Sequence, residues 1–235
     1  MKEQPKSKAV VLWTGGKDCN LALYEAKTMG FEIAALISFS GKDVQFKAHP
    51  IEIMKAQSEA LDIPHAVFEI KEPYKEGYEQ AIQQVKDTYR IDTIVTGDIA
   101  EIHGSTNWIT DRCRPSGINV FLPLWHIDRE QILLRLFSLG FKIIFSCVKP
   151  PWFRSEWLGK ALDESLIVEL MELNVEKGLD ICGEQGEYHT WVLDGPLYKQ
   201  RLSIKTFNVH RHESMMYLEM TKLKKEIKDP WLLVN

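Results

Sequence analysis

Across the first 122 residues, short apolar runs alternate with segments of helical period, and no other feature limits the fold as much. Lys8–Trp13 (KAVVLW) is a continuous apolar run ended by a glycine pair. From Asp18 onward, Leu21, Ala22, Tyr24, Glu25 and Lys27 predict a helix with one apolar side, stopped at Gly30. Phe31–Phe39 reads as a second strand. Ile51–Asp62 reads as a helix with Ile51, Met54 and Leu61 turned inward, broken at Ile63–Pro64 because the residue before a proline avoids the α region. His65–Ile70 is a third strand. Tyr74, Tyr78, Ala81, Ile82, Val85 and Tyr89 recur at three- and four-residue steps, the mark of an amphipathic helix. Asp92–Thr96 and Asn119–Leu122 supply the fourth and fifth strands. Strands separated by helices of this length predict βαβ units: an α/β fold with a parallel five-stranded sheet and helices on both faces. In such sheets ligands bind at the carboxyl ends of the strands.

The second half reads as α+β. Asp128–Leu139 is a helix ending at Gly140, Phe141–Val148 a strand and Leu162–Lys177 a helix. Between them KPPWFRSEW (Lys149–Trp157), with two prolines and two tryptophans, is expected to form a loop or a mobile lid. Strand-like runs follow at Tyr188–Leu193, Leu202–Val209 and Met215–Leu223, and KLKKEIK (Lys222–Lys228) is expected to be a solvated charge cluster. The change of pattern predicts two domains, residues 1–126 and 127–235.

Composition narrows the classes of function. Twenty-nine Lys and Arg against 33 Asp and Glu leave a net charge of −4, which disfavours broad nucleic-acid binding while leaving room for a local basic patch. No run approaches the ~18 apolar residues of a membrane span. The apolar run behind MKEQPKSK is too short for a secretory signal, so a cytoplasmic protein is expected. Cys19, Cys113, Cys147 and Cys182 lie far apart without a CxxC pair, against both a disulfide framework and a Cys-rich zinc site.

Two segments carry chemistry. In VVLWTGGKDCNLAL (Val10–Leu23), Gly15 and Gly16 follow a buried strand and open a helix. Glycines let the backbone approach an anion, and the helix N-terminus offers unpaired N–H groups to phosphate. Lys17 adds a cation, and Asp18 is placed to hold a Mg²⁺ that bridges phosphate oxygens. Neither GxxxxGK[ST] nor GxGxxG is present. Cys19 stands where thiolates are favoured, but no base is visible beside it in sequence. The bland alternative is a strand-to-helix turn that uses the glycines for geometry alone. The second segment, GEQGEYHTWVLDGP (Gly183–Pro196), gathers Glu184, Glu187, His189 and Thr190 just before a strand. Carboxylates there are suited to bind Mg²⁺, to position ammonium or to act as general base. Here the alternative is a surface loop with an Asp194–Gly195 turn.

TGGKDC (Thr14–Cys19) resembles the SGGxDS loop of the ATP pyrophosphatases, with Thr14 and Cys19 in place of the two serines. GLDICGEQGEYHTWVLDGPLY (Gly178–Tyr198) resembles the hallmark segment of the diphthine–ammonia ligase family, a branch of the N-type enzymes of that group. His49, Gln57–Leu61 before Ile63–Pro64, Gly97-Asp98-Ile99, Pro123-Leu124-Trp125 and Leu158-Gly159 match in order over roughly residues 8 to 205. Glu101–Cys113 (EIHGSTNWITDRC) looks more like the bacterial relatives than the archaeal and eukaryotic ones. The resemblance implies a Rossmann-like (HUP-type) nucleotide domain and a smaller domain carrying the GE-x-GE loop. It implies that ATP and Mg²⁺ are bound, that a carboxylate is adenylated with release of pyrophosphate, and that ammonia then displaces AMP to leave an amide. The acceptor would be diphthine, a modified histidine on elongation factor 2, or a related carboxylate.

In these terms Thr14, Gly15, Gly16, Lys17, Asp18, Cys19, His49, Gly97 and Asp98 would contact the nucleotide, with Asp18 the metal anchor. Glu184, Glu187, His189 and Thr190 would serve the acyl centre, and Lys17, Asp18, Glu184, Glu187 and His189 the chemistry. Met1 is followed by Lys2 and not by the cysteine of a glutamine-hydrolysing domain, so free ammonium is the expected nitrogen donor. A homodimer is compatible with the sequence. Two rivals stand beside this reading. One is a tRNA-thiolating enzyme of the same fold, which would need a reactive cysteine pair such as Cys113 and Cys182. The other is a sensor that holds an adenine nucleotide without turnover.

Overall fold

The computed structural model describes residues 7–42, 46–101 and 107–228. Ile102–Thr106, in the segment likened to bacterial relatives, lie outside that range, as do the first six residues. By its internal contacts the chain forms two compact units. One comprises residues 1–14, 18–45 and 63–126. The other comprises residues 127–235 together with Gly15–Lys17 and Phe46–Asp62 from the first half of the chain.

The first unit is the parallel sheet expected from the alternating pattern. Its strands are β1 (Lys8–Leu12), β2 (Glu32–Ser40), β3 (His65–Glu69), β4 (Thr93–Val95) and β5 (Asn119–Phe121), hydrogen-bonded in the order β3-β2-β1-β4-β5, all parallel. Helix α1 (Lys17–Thr28) follows β1 and α3 (Tyr74–Tyr89) precedes β4. The chain winds outward from β1 to β3 and then returns to the other side of β1, so the switch point of this doubly wound, Rossmann-like sheet lies between β1 and β4. Val10, Ala35, Ile37, Ile82, Val85, Ile91, Ile94, Cys113 and Ile118 form its buried core. The sequence pattern did not reveal α4 (Trp108–Cys113), whose six residues are too few for a period to show; Asn107 caps it by accepting from the Thr110 amide at 2.9 Å.

The second unit holds an antiparallel sheet in the order β7-β6-β9-β8, built from β6 (Lys142–Val148), β7 (Tyr188–Asp194), β8 (Gln200–His212) and β9 (Met215–Ile227), with α5 (Arg129–Ser138) and α6 (Glu164–Lys177). Helix α2 (Ile51–Leu61) belongs to this unit. It buries Ile53 and Met54 rather than Ile51, which is only half-buried. Both caps agree with their sequences: Asp128 accepts from the Glu130 and Gln131 amides, and Asp163 from Leu166.

The KLKKEIK charge cluster runs through the end of β9, and Lys222, Lys224 and Lys225 are exposed as expected, although Lys225 also bonds Glu59 and Lys228 lies 2.5 Å from Asp194. The Lys149–Trp157 segment is the expected loop, closing on one short 3-10 turn, but not a mobile lid: Phe153 and Trp157 are buried and interlock with Phe145 and Tyr188, with ring centroids 4.8–6.1 Å apart. Burying these large rings outweighs whatever freedom the prolines leave the segment. No helix among the described residues is long and apolar enough to cross a membrane.

Candidate active site

In the first unit, Thr14, Asp18, Cys19, Gly97 and Asp98 cluster at the carboxyl ends of β1 and β4. The Thr14 hydroxyl is 3.7 Å from the Cys19 sulfur, which also lies 3.9 Å from the Asn20 amide nitrogen. Gly97 follows β4 and abuts the first turn of α1. A Cβ at this position would lie 2.6 Å from the Asp18 carbonyl carbon and 2.8 Å from the Cys19 nitrogen, so only glycine allows the approach. Asp98 turns the other way, its Oδ2 accepting from the side chain of Asn107, the α4 cap.

In the second unit, Gly15, Gly16, Lys17, His49, Glu184, Glu187, His189 and Thr190 form the larger group. Gly15 has φ +80°, and its carbonyl accepts from the Val192 amide (3.2 Å) and from the Gln57 side chain (2.8 Å). The same Gln57 nitrogen also donates to the Val192 carbonyl at 2.8 Å, from a side chain with no exposed surface. Lys17 is 3 % exposed. Its backbone amide donates to the Thr190 hydroxyl (3.1 Å), its ammonium to the Cys182 carbonyl (2.5 Å), and the ammonium lies 5.4 Å from the centre of the Tyr188 ring. Besides the nucleotide and catalytic roles expected of it, Lys17 ties the glycine loop to the acidic loop. A buried ammonium needs such partners to offset its lost hydration.

The acidic loop is organised from within. Glu187 is 1 % exposed, and its two carboxylate oxygens accept from the backbone amides of Asp180 (3.1 Å) and Gln185 (3.0 Å). Asp180 in turn accepts from the Cys182 amide (2.9 Å) and from Arg129 (2.7 Å). The Tyr188 hydroxyl donates to the Ile181 carbonyl at 2.6 Å. Of the two glutamates expected at an acyl centre, Glu187 holds two backbone amides of its own loop, while Glu184 is half-buried beside Arg129. His189 Nδ1 meets His49 Nε2 at 3.2 Å with the rings edge to face. Burial, and then the charge of Lys17, push the His189 pKa down to about 4, so its imidazole is neutral at pH 7.

Sequence reasoning missed Gln57, Asp180 and Arg129 as site residues. A glutamine in a helix of polar period resembles a surface position, and the 51-residue separation of Arg129 from Asp180 leaves no local pattern. Among the described residues no cluster of three or more His, Cys, Asp or Glu is placed to hold a metal. The donor set still suits Mg²⁺, which takes one or two protein carboxylates and completes its shell with phosphate and water, and Asp18 at the start of α1 offers one. All four cysteines are free and buried, and burial pushes the Cys113 thiol up to about 12, the opposite of what sulfur transfer asks of it.

Comparison with known proteins adds a separate line of observation. The sequence models of the diphthamide synthase N-terminal and C-terminal domains match residues 7–120 and 128–226. The chain is 27 % identical over 246 residues to the diphthine–ammonia ligase of Schizosaccharomyces pombe, covering 94 % of this chain and 40 % of that one. To the diphthine–ammonia ligase of Danio rerio it is 25 % identical over 250 residues, covering 94 % and 97 %. The chain therefore spans less than half of the yeast protein and nearly all of the fish protein. A solved structure, titled "predicted subunit of tRNA methyltransferase" from Methanocaldococcus jannaschii, aligns with a TM-score of 0.44 at 16 % identity over 80 % of this chain and 97 % of that one, a likeness too loose to weigh further.

Proposed function

The chain belongs to the diphthamide synthase (diphthine–ammonia ligase) family, and from that premise we propose that it is an ATP-dependent carboxylate–ammonia ligase. A carboxylate oxygen of the acceptor attacks the α-phosphorus of ATP, forming an acyl-adenylate as the bond to pyrophosphate breaks. Ammonia then attacks the acyl carbon, the bond to AMP breaks, and a proton is released with the amide. The acceptor is diphthine on elongation factor 2, or a related carboxylate where diphthine is lacking.

The observation that best supports this reading is the pair of hydrogen bonds from Lys17 to Cys182 and Thr190, which join the glycine loop to the GEQGEYHT loop. A turn that used its glycines for geometry alone would need neither. Gly15 and Gly16 would carry the polyphosphate, helped by the positive N-terminal end of α1. Asp18 would hold Mg²⁺, whose role when bound is to neutralise charge on the phosphates. His189, neutral at pH 7, is able to accept a proton, and Glu184 supplies a carboxylate for the ammonium ion. Glu187 and Gln57 position these groups without touching substrate.

ATP–pyrophosphate exchange on the purified protein with Mg²⁺ tests the proposal, with and without diphthine-bearing elongation factor 2 and with a panel of small carboxylates. Exchange that depends on an acceptor is the expected result and names the substrate class. ATP binding with no exchange under any condition would overturn the ligase reading in favour of the sensor.

A further inference from the structure

His49 stands where a short loop meets helix α2, and the chain restrains it from both sides. Pro50 follows it and heads the helix, its carbonyl accepting from the amides of Ile53 (3.1 Å) and Met54 (3.3 Å), both buried. A residue before proline is confined to extended backbone, so His49 has little conformational freedom of its own. On the other side, the Ala48 carbonyl accepts from the Trp191 indole (2.8 Å) and from the hydroxyl of buried Ser146 (3.2 Å). His189 and Trp191 lie two residues apart on β7, and side chains at that spacing share one face of a strand. Two alternate residues of β7 therefore grip two consecutive residues of the loop: Trp191 holds Ala48, and His189 meets His49.

That meeting has a chemical consequence. The bond to His49 Nε2 engages Nδ1 of His189, and His189 makes no other side-chain hydrogen bond among the described residues. Any proton transfer by this ring then falls to its Nε2. A neutral imidazole carries a single N–H, and the hydrogen bond at one nitrogen decides the state of the other. If His189 donates from Nδ1, its Nε2 keeps a lone pair. If it accepts at Nδ1, its Nε2 carries the hydrogen and the ring is no base. The ring is neutral at pH 7, since burial and the Lys17 charge hold its pKa near 4. The choice of tautomer is thus open to control by His49.

We propose that His49 is the positioning residue for His189: its Nε2 accepts the Nδ1–H of His189 and so keeps the His189 Nε2 lone pair ready for the nitrogen being amidated. This deepens the ligase reading and rests on it for the identity of that nitrogen. The electron pair of ammonia forms the bond to the acyl carbon. The bond to AMP then breaks with its electron pair on the phosphate oxygen, and a proton leaves the new nitrogen for Nε2. An N-protonated amide is so strong an acid that a weak base suffices, and the imidazolium hands the proton on to water. Through the retained Nδ1–H, His49 also shares the positive charge while it lasts.

The tautomer is read directly by NMR of protein isotope-labelled at its histidine nitrogens, a measurement that needs no turnover; the spectrum of His189→Asn identifies the His189 signals. Wild type at pH 7 is expected to show Nδ1 protonated and Nε2 bare. His49→Gln sets a carbonyl oxygen near the lost Nε2 and should keep that state. His49→Phe keeps the bulk of a ring without an acceptor and should release His189 to the Nε2–H form that histidine prefers in water. With an acceptor that supports pyrophosphate exchange, the ratio of amide formation to exchange should fall about tenfold or more in His49→Phe and recover in His49→Gln. A purely structural role would lower both activities together and leave the tautomer alone. Wild-type His189 in the Nε2–H form, or a tautomer unchanged in folded His49→Phe, overturns the inference. Wild-type His189 in the Nδ1–H form without acceptor-dependent exchange overturns the ligase reading instead and leaves the control of the tautomer standing.

Discussion

His49 and His189 meet through Nε2 and Nδ1 at 3.2 Å, one donating to the other, although 140 residues separate them. The second ring cannot carry a proton cheaply: burial and the Lys17 ammonium hold its pKa at about 4, against 6.5 in an open chain. Between those two values the unfolded chain binds a proton that the folded chain refuses, so stability falls as the pH drops from about 6.5 towards 4 and is unaffected above it. The full loss attributable to His189 is on the order of 3 kcal/mol. Urea unfolding of wild type and His189→Asn at pH 7 and pH 4.5 checks this. The wild type should lose more stability across the interval than the variant, and equal losses would show that His189 titrates normally.

Gln57 gives the next expectation. One side-chain nitrogen bridges the carbonyls of Gly15 and Val192 from a fully buried position, so Gln57→Leu keeps the volume but removes one donor from each carbonyl, Gly15 keeping only the Val192 amide. An unsatisfied buried group costs about 1–3 kcal/mol. Chemical denaturation should therefore show a loss of about 2 kcal/mol or more, with ATP binding weakened because Gly15 is no longer pinned. Unchanged stability would mean that the glycine loop does not depend on this bridge.

The parallel sheet was legible because its strands are buried on both faces and separated by helices of regular period, so that residues such as Val10, Ile37 and Ile94 announce themselves. The outer half of the β8–β9 hairpin was not. From Lys205 to Val209 every residue is exposed, so no inward and outward alternation marks the strand, and the sequence reading of β8 stops three residues short of its C-terminal end, at Val209 rather than His212. At the site, Gly15, Lys17 and Glu184 stand out as candidates because each belongs to a local motif. Residues whose role depends on where their lone pairs and donors point do not. Nothing in the sequence distinguishes Glu187, with both oxygens committed to backbone amides, from Glu184. Gln57 and Asp180 fall in segments that the family resemblance matched, but their roles depend on contacts that no pattern shows, and Arg129 pairs with Asp180 across 51 residues.

Gly97 yields a prediction with an internal control. The atoms that a Cβ would strike are backbone atoms of Asp18 and Cys19, which cannot swing aside as a side-chain tip can. Gly97→Ala should cost about 1–3 kcal/mol and displace the start of α1, lowering ATP affinity. Gly117 has φ +62° but open space around its Cα, so Gly117→Ala should cost only the left-handed backbone strain, roughly 1 kcal/mol, and leave ATP binding intact. Isothermal titration with ATP separates the two. Equal nucleotide affinity in both variants would mean that the contact between Gly97 and α1 is not needed for binding.

Glu187→Gln probes whether an acid in this loop acts by holding or by reacting. Each carboxylate oxygen accepts one backbone N–H, from Asp180 and from Gln185. A glutamine retains a single acceptor oxygen and turns an NH₂ group towards the other donor, so one of the two amides loses its partner. The expected result is a loss of about 1–3 kcal/mol in stability and a reduced amidation rate, with ATP binding close to wild type. Those losses should move together, because the rate falls only as the loop that carries Glu184 loosens. A variant as stable as wild type that nevertheless forms no product would instead place the Glu187 carboxylate in the reaction itself. Unfolding curves and pyrophosphate release measured on the same preparation decide between holding and reacting.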